Sequence, residues 1–115
     1  MPKKGLTGES AAALLLEKKG MQVVKRNFRS RTGEVDIIAL DGETLVFAEV
    51  KTWSAYGIDA LEQALDAKKK RKIIETSKYF LSLHREYRYM AIRFDVIFIS
   101  PEGITHLASA FTECI

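Results

Sequence analysis

Cysteine is almost absent from this chain of 115 residues: the only one is Cys114, next to the C-terminus. A single cysteine forms no disulfide within the chain and cannot supply the thiolate clusters of structural zinc sites. Only two histidines occur, and no second histidine or cysteine stands at ligand spacing from His84, which disfavours a zinc site further. These scarcities exclude a small disulfide-stapled fold and favour the reducing cytoplasm as the location.

Long hydrophobic runs are missing as well. The apolar run Ala11–Leu16 follows two lysines, as in a signal peptide, but Glu9 precedes it and Glu17-Lys18-Lys19 replaces a cleavage site of small residues. No stretch approaches the roughly 20 apolar residues of a membrane-spanning helix. We therefore expect no membrane association, and we predict a single domain over residues 1–115, a length too short for two.

The stretch Gly33–Lys51 predicts a β-hairpin. Its two halves, Glu34–Leu40 and Leu45–Lys51, are rich in Val, Ile, Leu and Phe, and the Asp41-Gly42 pair between them is typical of hairpin turns. Apolar residues occupy both faces of both halves, which predicts interior strands that are covered on both sides.

Two carboxylates and a lysine converge near the open end of this hairpin. If Asp41–Thr44 forms the loop, Asp36 lies opposite Glu49, whereas a two-residue loop makes them diagonal neighbours on one face. Lys51 lies on that face too, because side chains alternate along a strand. Two carboxylates roughly 5 Å apart at their Cβ atoms suit a divalent cation such as Mg²⁺. An ammonium beside them can position an attacking water, lower its pKa or stabilise charge in the transition state.

These residues resemble the core of the PD-(D/E)xK nuclease superfamily, with Asp36 followed after a turn by Glu49-Val50-Lys51. Glu34-Val35-Asp36 stands where the name-giving Pro-Asp would be, a departure that many members share. The whole chain resembles the YraN-like family of small bacterial proteins, which is related to Holliday-junction resolvases. The residues that carry this resemblance are Gly8-Glu9, Arg26-Asn27-Phe28-Arg29, Gly33-Glu34-Val35-Asp36, Phe47-Ala48-Glu49-Val50-Lys51, Lys69 and Arg93-Phe94-Asp95-Val96.

The resemblance implies an α/β fold with a restriction-endonuclease-like core, in which a mixed β-sheet is flanked by helices. It also implies a divalent-metal-dependent nuclease that hydrolyses phosphodiester bonds in structured or branched DNA. Asp36 and Glu49 would bind Mg²⁺ or Mn²⁺, and Lys51 would orient or activate the attacking water. Glu9 matches the carboxylate that resolvase-like nucleases place beside the metal, directly or through water, although a first-turn glutamate that favours the helix dipole explains it almost as well. Resolvase relatives act as twofold dimers, so a homodimer is the expected assembly.

Two basic clusters flank the carboxylates in the sequence. They are Lys25, Arg26, Arg29 and Arg31 before the hairpin and the unbroken run Lys68–Lys72 after it. Phosphate contacts supply most of the non-specific affinity for nucleic acid, so we predict that Arg26, Arg29 and Arg31 bind the substrate backbone. Lys69 matches a family position that faces the active site, while the rest of its run is predicted to face solvent. The choice between DNA and RNA stays open on these residues alone.

The remaining segments predict two helices and three strands. They are a helix from Thr7 to about Lys19 that ends at Gly20, a strand over Met21–Phe28, a helix from its cap Asp66 to about His84, and strands over Ala91–Ser100 and Ile104–Ala108. Trp53 and Tyr56 are candidates for stacking on bases or for packing in the core. We interpret Asp95 as the ion-pair partner of Arg93 or of a basic residue on the neighbouring strand and not as a catalytic group. Glu34 lies on the same face as Asp36 and is either an additional metal ligand or, as we favour, the ion-pair partner of one of the arginines.

Two other functions remain open from the sequence. One is a nucleic-acid-binding module that keeps the nuclease fold without turnover, and the other is a protein-interaction module on the same scaffold. Converging carboxylates repel phosphate, which disfavours the first. Metal binding at Asp36 and Glu49 distinguishes the enzyme from both alternatives.

Overall fold

The computed structural model describes residues 8–52 and 66–111. The elements are helix α1 (Gly8–Lys18), strands β1 (Gln22–Arg29), β2 (Glu34–Asp41) and β3 (Thr44–Thr52), helix α2 (Ala67–Leu83), a 3₁₀ turn (Arg85–Tyr87) and strands β4 (Ala91–Ser100) and β5 (Gly103–Phe111). Their order confirms the prediction, while Thr7, Trp53 and Tyr56 lie outside the described residues. No helix in the described part of the chain is long and apolar enough to cross a membrane.

The five strands form one mixed sheet in the order β1-β2-β3-β4-β5. β3 and β4 pair in parallel, and the other neighbours pair antiparallel. In the hairpin Leu40 pairs with Leu45, as predicted, but Asp41 and Thr44 pair as well. The loop is therefore Gly42-Glu43 and not the four residues Asp41–Thr44, and this two-residue loop gives the register that was predicted for the longer one. The protein therefore has the expected α/β fold, a mixed sheet with two helices that is consistent with a restriction-endonuclease-like core.

Helices cover both faces of the sheet, as the apolar faces of the hairpin predict. On one face α1 packs Ala12, Ala13 and Leu16 in a cluster with Ile37, Ala39, Ala48 and Ile97. On the other face α2 packs Ile73, Ile74 and Phe80 in a cluster with Ile38, Leu45, Phe47 and Phe94. Successive residues of β2 and β3 thus serve opposite layers of the core, which keeps these two strands in the middle of the molecule.

Local hydrogen bonds set the ends of the helices. Gly20 adopts φ 93, a left-handed conformation that suits glycine, and the N–H of Met21 donates to the carbonyl of Leu16 at 3.0 Å. Leu16 and Met21 also pack in the same cluster, which completes a Schellman motif. At the start of α2 the carboxylate of Asp66 accepts the N–H of Lys68 at 2.7 Å, so the predicted cap is confirmed.

A buried ion network joins β4, β5 and the residue after α1. The side chain of Asp95 is fully buried and accepts two hydrogen bonds from the Arg93 guanidinium, at 2.9 and 3.0 Å. It also accepts the N–H of Ser109 at 3.0 Å and lies 2.7 Å from Nε2 of His106. Nζ of Lys19 lies 2.7 Å from Nδ1 of the same ring, which makes Nε2 the donor to Asp95. The interpretation of Asp95 as a structural partner of Arg93 is confirmed.

The network favours the charged form of Asp95. Burial is the largest single effect and opposes ionisation, but the hydrogen bonds from His106, Arg93 and Ser109 together outweigh it and hold the pKa of Asp95 below its usual range. Since the folded pKa lies below the unfolded one, the resulting stability is present above about pH 4 and is lost as pH falls through the folded pKa.

Replacement of Asp95 by asparagine should lower the free energy of unfolding by about 2 kcal/mol at pH 7, because it removes the charged acceptor of the Arg93 hydrogen bonds and leaves Asp41, 2.8 Å away, as the charged partner of Arg93. Urea denaturation measures this loss, and the difference from the parent should shrink at pH values below about 4. The control Glu75→Gln breaks an exposed pair with Lys78, in which Nζ and Oε2 are 3.3 Å apart, and should cost less than about 0.5 kcal/mol. Equal losses in the two variants would contradict this account.

Candidate functional site

The candidate site lies where β2 and β3 separate. Their backbone ladder ends at the pair Ile37 and Ala48, although both strands continue beyond it. There Oδ2 of Asp36 accepts the N–H of Val50 at 2.7 Å, where a regular ladder would offer a backbone carbonyl. The continued register sets Asp36 opposite Glu49, and both side chains line one cleft.

This cleft is open and has a volume of about 290 Å³. Its lining residues are Gly33, Glu34, Asp36, Glu49, Val50, Lys51, Lys69, Lys72 and Ile73. The first turns of α2 therefore stand beside the two carboxylates. Lys69 lines the cleft as predicted. Lys72 is exposed to solvent, as expected, but it also lines the open cleft because it follows Lys69 by about one helical turn.

Glu49 carries the least satisfied oxygen of the site. Its side chain is 14% exposed, and Oε2 is buried without a hydrogen bond to any residue in the described ranges. Nζ of Lys51 is 3.8 Å from this oxygen, a distance that permits an ion pair but is too long for a hydrogen bond. A buried acceptor without a donor is costly, which makes this oxygen available to a cation.

Burial also disfavours the charge on Asp36. Removal from water is the largest effect on its carboxyl, and the N–H of Val50 opposes it only partly. The nearby negative charges of Glu9, Glu49 and Glu34 act in the same direction as burial, and the pKa of Asp36 rises to about 6. Asp36 therefore takes up a proton at a higher pH than an ordinary aspartate does, and a nearby cation would favour its ionised form.

Two lysines supply positive charge beside Glu49. Burial raises the pKa of Glu49, while the charges of Lys51 and Lys69 oppose the rise. The neighbouring Lys51 amine, followed by burial, lowers the pKa of Lys69, and the negative charge of Glu49 partly compensates. Because two neighbouring ammonium groups repel each other, an anion such as a phosphate group is favoured between them.

The site fits a hydrated divalent cation. Mg²⁺ is commonly bound through one or two carboxylates and keeps several waters, so Asp36 and Glu49 suffice as protein ligands. Within residues 8–52 and 66–111, no three Asp, Glu, His or Cys side chains are grouped to hold a metal ion directly. Glu9 instead lines an adjoining cleft of about 470 Å³ that shares Val50, so a contact through water remains its predicted role.

The three predicted substrate-binding arginines are spread around the site. Nη2 of Arg26 donates to Oγ of Ser10 at 3.0 Å, and Arg26 lines the cleft that contains Glu9. Nε of Arg29 lies 3.0 Å from Glu34, which confirms the predicted partner of that carboxylate. Arg29 and Arg31 line a separate depression beside the middle of α2. Of the four basic residues predicted to bind substrate, Lys69 alone lines the carboxylate cleft.

Sequence reasoning missed the residues that attach the β1–β2 loop to α2. A Cβ atom on Gly33 would lie 3.3 Å from Cβ of Lys72, so the loop approaches the helix closely. The fully buried Thr76 has its hydroxyl 3.1 Å from that of Ser30 and 3.2 Å from that of Thr32, and the last two hydroxyls are 2.9 Å apart. The pattern of small polar residues indicates a turn, but no local pattern reveals its partner on a distant helix.

Known proteins match this chain over nearly its full length. The family model described as uncharacterised protein family UPF0102 matches residues 8–99. A UPF0102 protein of Persephonella marina is 43% identical over 108 residues, which are 94% of this chain and 92% of the relative. The UPF0102 protein of Treponema denticola is 41% identical, over 99% of this chain and 98% of its own. That of Ectopseudomonas mendocina is 40% identical, over 90% and 87%.

In metal-free buffer, Asp36→Asn should raise the free energy of unfolding at pH 8 by about 2 kcal/mol, after allowance for the partial exposure of the site. The folded pKa of about 6 exceeds the unfolded value, so the parent is fully stable at this site below about pH 4 and loses stability as pH rises through 6. The two proteins should therefore be alike at pH 4. Urea denaturation with EDTA at both pH values measures the difference.

The control for this experiment is Glu43→Gln, which removes a carboxylate from the exposed turn of the same hairpin. It should change stability by less than about 0.5 kcal/mol at either pH. A gain from Asp36→Asn that is the same at pH 4 and pH 8 would show that the charge on Asp36 is not its source.

Proposed function

The chain belongs to the UPF0102 family, and we propose that it is a divalent-metal-dependent nuclease of the PD-(D/E)xK type that hydrolyses phosphodiester bonds in structured or branched DNA. The observation that carries this proposal is the convergence of Asp36 and Glu49 in one cleft, where Oε2 of Glu49 is buried and has no donor in the described ranges. Lys51 and Lys69 line the same cleft, so sites for a cation and for a phosphate lie side by side.

Asp36 and Glu49 would hold Mg²⁺ or Mn²⁺. When bound, such an ion neutralises charge on phosphoryl oxygens and lowers the pKa of a water. Asp36 is oriented for this role because Oδ2 is held by the N–H of Val50, which leaves Oδ1 for a ligand. Glu49 offers Oε2, which accepts no hydrogen bond from a described residue.

The lysines act on water and phosphate. Lys51 has three N–H donors and lies beside Glu49, where it positions the attacking water for in-line displacement. Lys69 and Lys72 project from the first turns of α2 and bind the phosphate that is cut. Their fixed positive charge stabilises the negative charge that develops on phosphoryl oxygens.

The alternatives explain less of the site. A binding module gains nothing from two carboxylates that repel phosphate, and a protein-interaction surface does not require a buried oxygen that accepts no hydrogen bond.

The proposal also includes the assembly and the location of the protein. We propose a homodimer, a twofold assembly suited to a twofold DNA junction, and a location in the cytoplasm.

A cleavage assay with Mg²⁺ or Mn²⁺ tests the proposed nuclease activity. Its substrates are a four-way junction, a flap, a single strand, a duplex and an RNA. Glu49→Gln and Lys51→Met should each lower the cleavage rate by about 100-fold or more, because they remove a metal ligand and a positioning charge. The controls Glu43→Gln and Lys68→Met remove the same charges from exposed positions outside the cleft and should cut at the parent rate.

Metal binding gives a second readout that does not depend on the substrate. Mn²⁺ should raise the thermal midpoint of the parent and of Glu43→Gln, but not that of Glu49→Gln. A folded parent that binds nucleic acid without metal-dependent cutting would support the binding module instead. Absence of both binding and cutting would favour the protein-interaction module.

A further inference from the structure

A second depression lies next to the carboxylate cleft, between the β1–β2 loop and the middle of α2. It has a volume of about 620 Å³, within the range of ligand pockets. Its lining residues are Arg29, Ser30, Arg31, Thr32, Glu75 and Tyr79. The carboxylate cleft is lined by Gly33 and Lys72, the next residue of the same loop and a residue one helical turn before Glu75, so the two cavities border the same loop and the same helix.

An aromatic ring is presented in this depression. The side chain of Tyr79 is 47% exposed, while its ring centroid lies 6.0 Å from that of Phe28. Phe28 is buried and packs edge-on against Phe80 at 5.1 Å, so the core supports the tyrosine from behind. An exposed ring held in this way is a platform on which an unpaired base can stack.

The charged groups around the ring favour a polyanion. Nε of Arg29 contacts Glu34, but the side chain is 75% exposed and its terminal nitrogens are further donors for phosphate. Arg31 is exposed and makes no ion pair with the residues that the structure describes. Glu75 is the acidic residue of the lining, and its carboxylate lies 3.3 Å from Nζ of Lys78.

The loop that carries these arginines is held in place before any ligand binds. The hydroxyls of Ser30 and Thr32 contact that of Thr76, and Gly33 lies against α2. Binding therefore requires little ordering of the loop, which lowers its entropic cost.

We propose that this depression binds an unpaired nucleotide next to the position of cleavage, with its base on Tyr79 and the flanking phosphates on Arg29 and Arg31. Bases inside a duplex are stacked on their neighbours and cannot offer a face to the ring, whereas unpaired bases can. The assignment of a cleavage position rests on the proposed nuclease function. A nucleotide-binding depression here would restrict the substrates of the nuclease to nucleic acids that have a single-stranded segment beside the cut.

Fluorescence anisotropy with a labelled single strand and a hairpin duplex of the same sequence, both in EDTA, tests the proposal without turnover. Tyr79→Ala should weaken binding of the single strand by roughly 5- to 150-fold, the loss of one base stack, and leave duplex binding unchanged. Tyr79→Phe keeps the ring and should stay within about twofold of the parent. The control Tyr89→Ala removes a tyrosine that is 88% exposed and outside the lining, and it should bind as the parent does.

A second probe keeps the test decisive if Tyr79→Ala fails to fold. A single strand containing 2-aminopurine should lose emission on binding the parent, as a stacked base does, and less so with Tyr79→Leu. Arg31→Gln should weaken the binding of both the single strand and the duplex. It should also lower the slope of log affinity against log salt concentration by about one, which corresponds to the loss of one phosphate contact.

Three outcomes would overturn the proposal: equal weakening of single strand and duplex by Tyr79→Ala, no weakening of either, or competition by polyglutamate as effective as by the oligonucleotide. Because these binding measurements need no metal, they test the nucleotide-binding depression independently of the proposed nuclease activity. A protein that never cuts can still show the tyrosine-dependent preference, and an active nuclease can lack it.

Discussion

The hydrogen bond between the N–H of Val50 and the carboxylate of Asp36 is the constraint on which the candidate site depends. A backbone donor that loses its ladder partner inside a protein must find another acceptor. Asp36 provides that acceptor at the point where β2 and β3 stop pairing. The same bond thus permits the strands to separate, orients one carboxylate and opens the cleft in which Glu49 lies.

Two carboxylates of adjacent strands differ in the number of hydrogen-bond donors that compensate for their burial. Asp95 on β4 is fully buried, but Arg93, His106 and the N–H of Ser109 surround it with donors. Glu49 on β3 is nearly as buried, yet its Oε2 has no hydrogen bond to a described residue. Hydrogen-bond donors therefore offset the free-energy cost of burying the Asp95 carboxylate, whereas this cost is not offset at Oε2 of Glu49. An uncompensated acceptor of this kind is expected where a cation from solution completes the site.

Local patterns in the sequence predicted much of the fold and part of the site. Alternation and turn residues suffice for the hairpin register, and helix-capping rules suffice for Asp66, because each depends on neighbours in the chain. The attachment of Thr76 to the β1–β2 loop and the entry of Lys72 into the cleft depend on how α2 packs against the sheet. Neither can be derived from periodicity, since each contact joins α2 to strands or loops more than 20 positions away in the sequence. The depression beside Tyr79 likewise cannot be predicted from local patterns, because its lining residues come from the β1–β2 loop and from α2.

Asn27 extends the argument to the other neighbour of Asp36. It lies in β1 between Arg26, which pairs with Ile37, and Phe28, which pairs with Val35, so the ladder sets it opposite Asp36. Its φ of 55 is a left-handed conformation that asparagine tolerates better than most residues but that a strand seldom contains. Asp36 is thus flanked by an interrupted ladder on one side and by unfavourable backbone geometry on the other. Both irregularities adjoin the candidate site, and strained or interrupted backbone in proteins is concentrated where side chains are held for binding or catalysis rather than for packing.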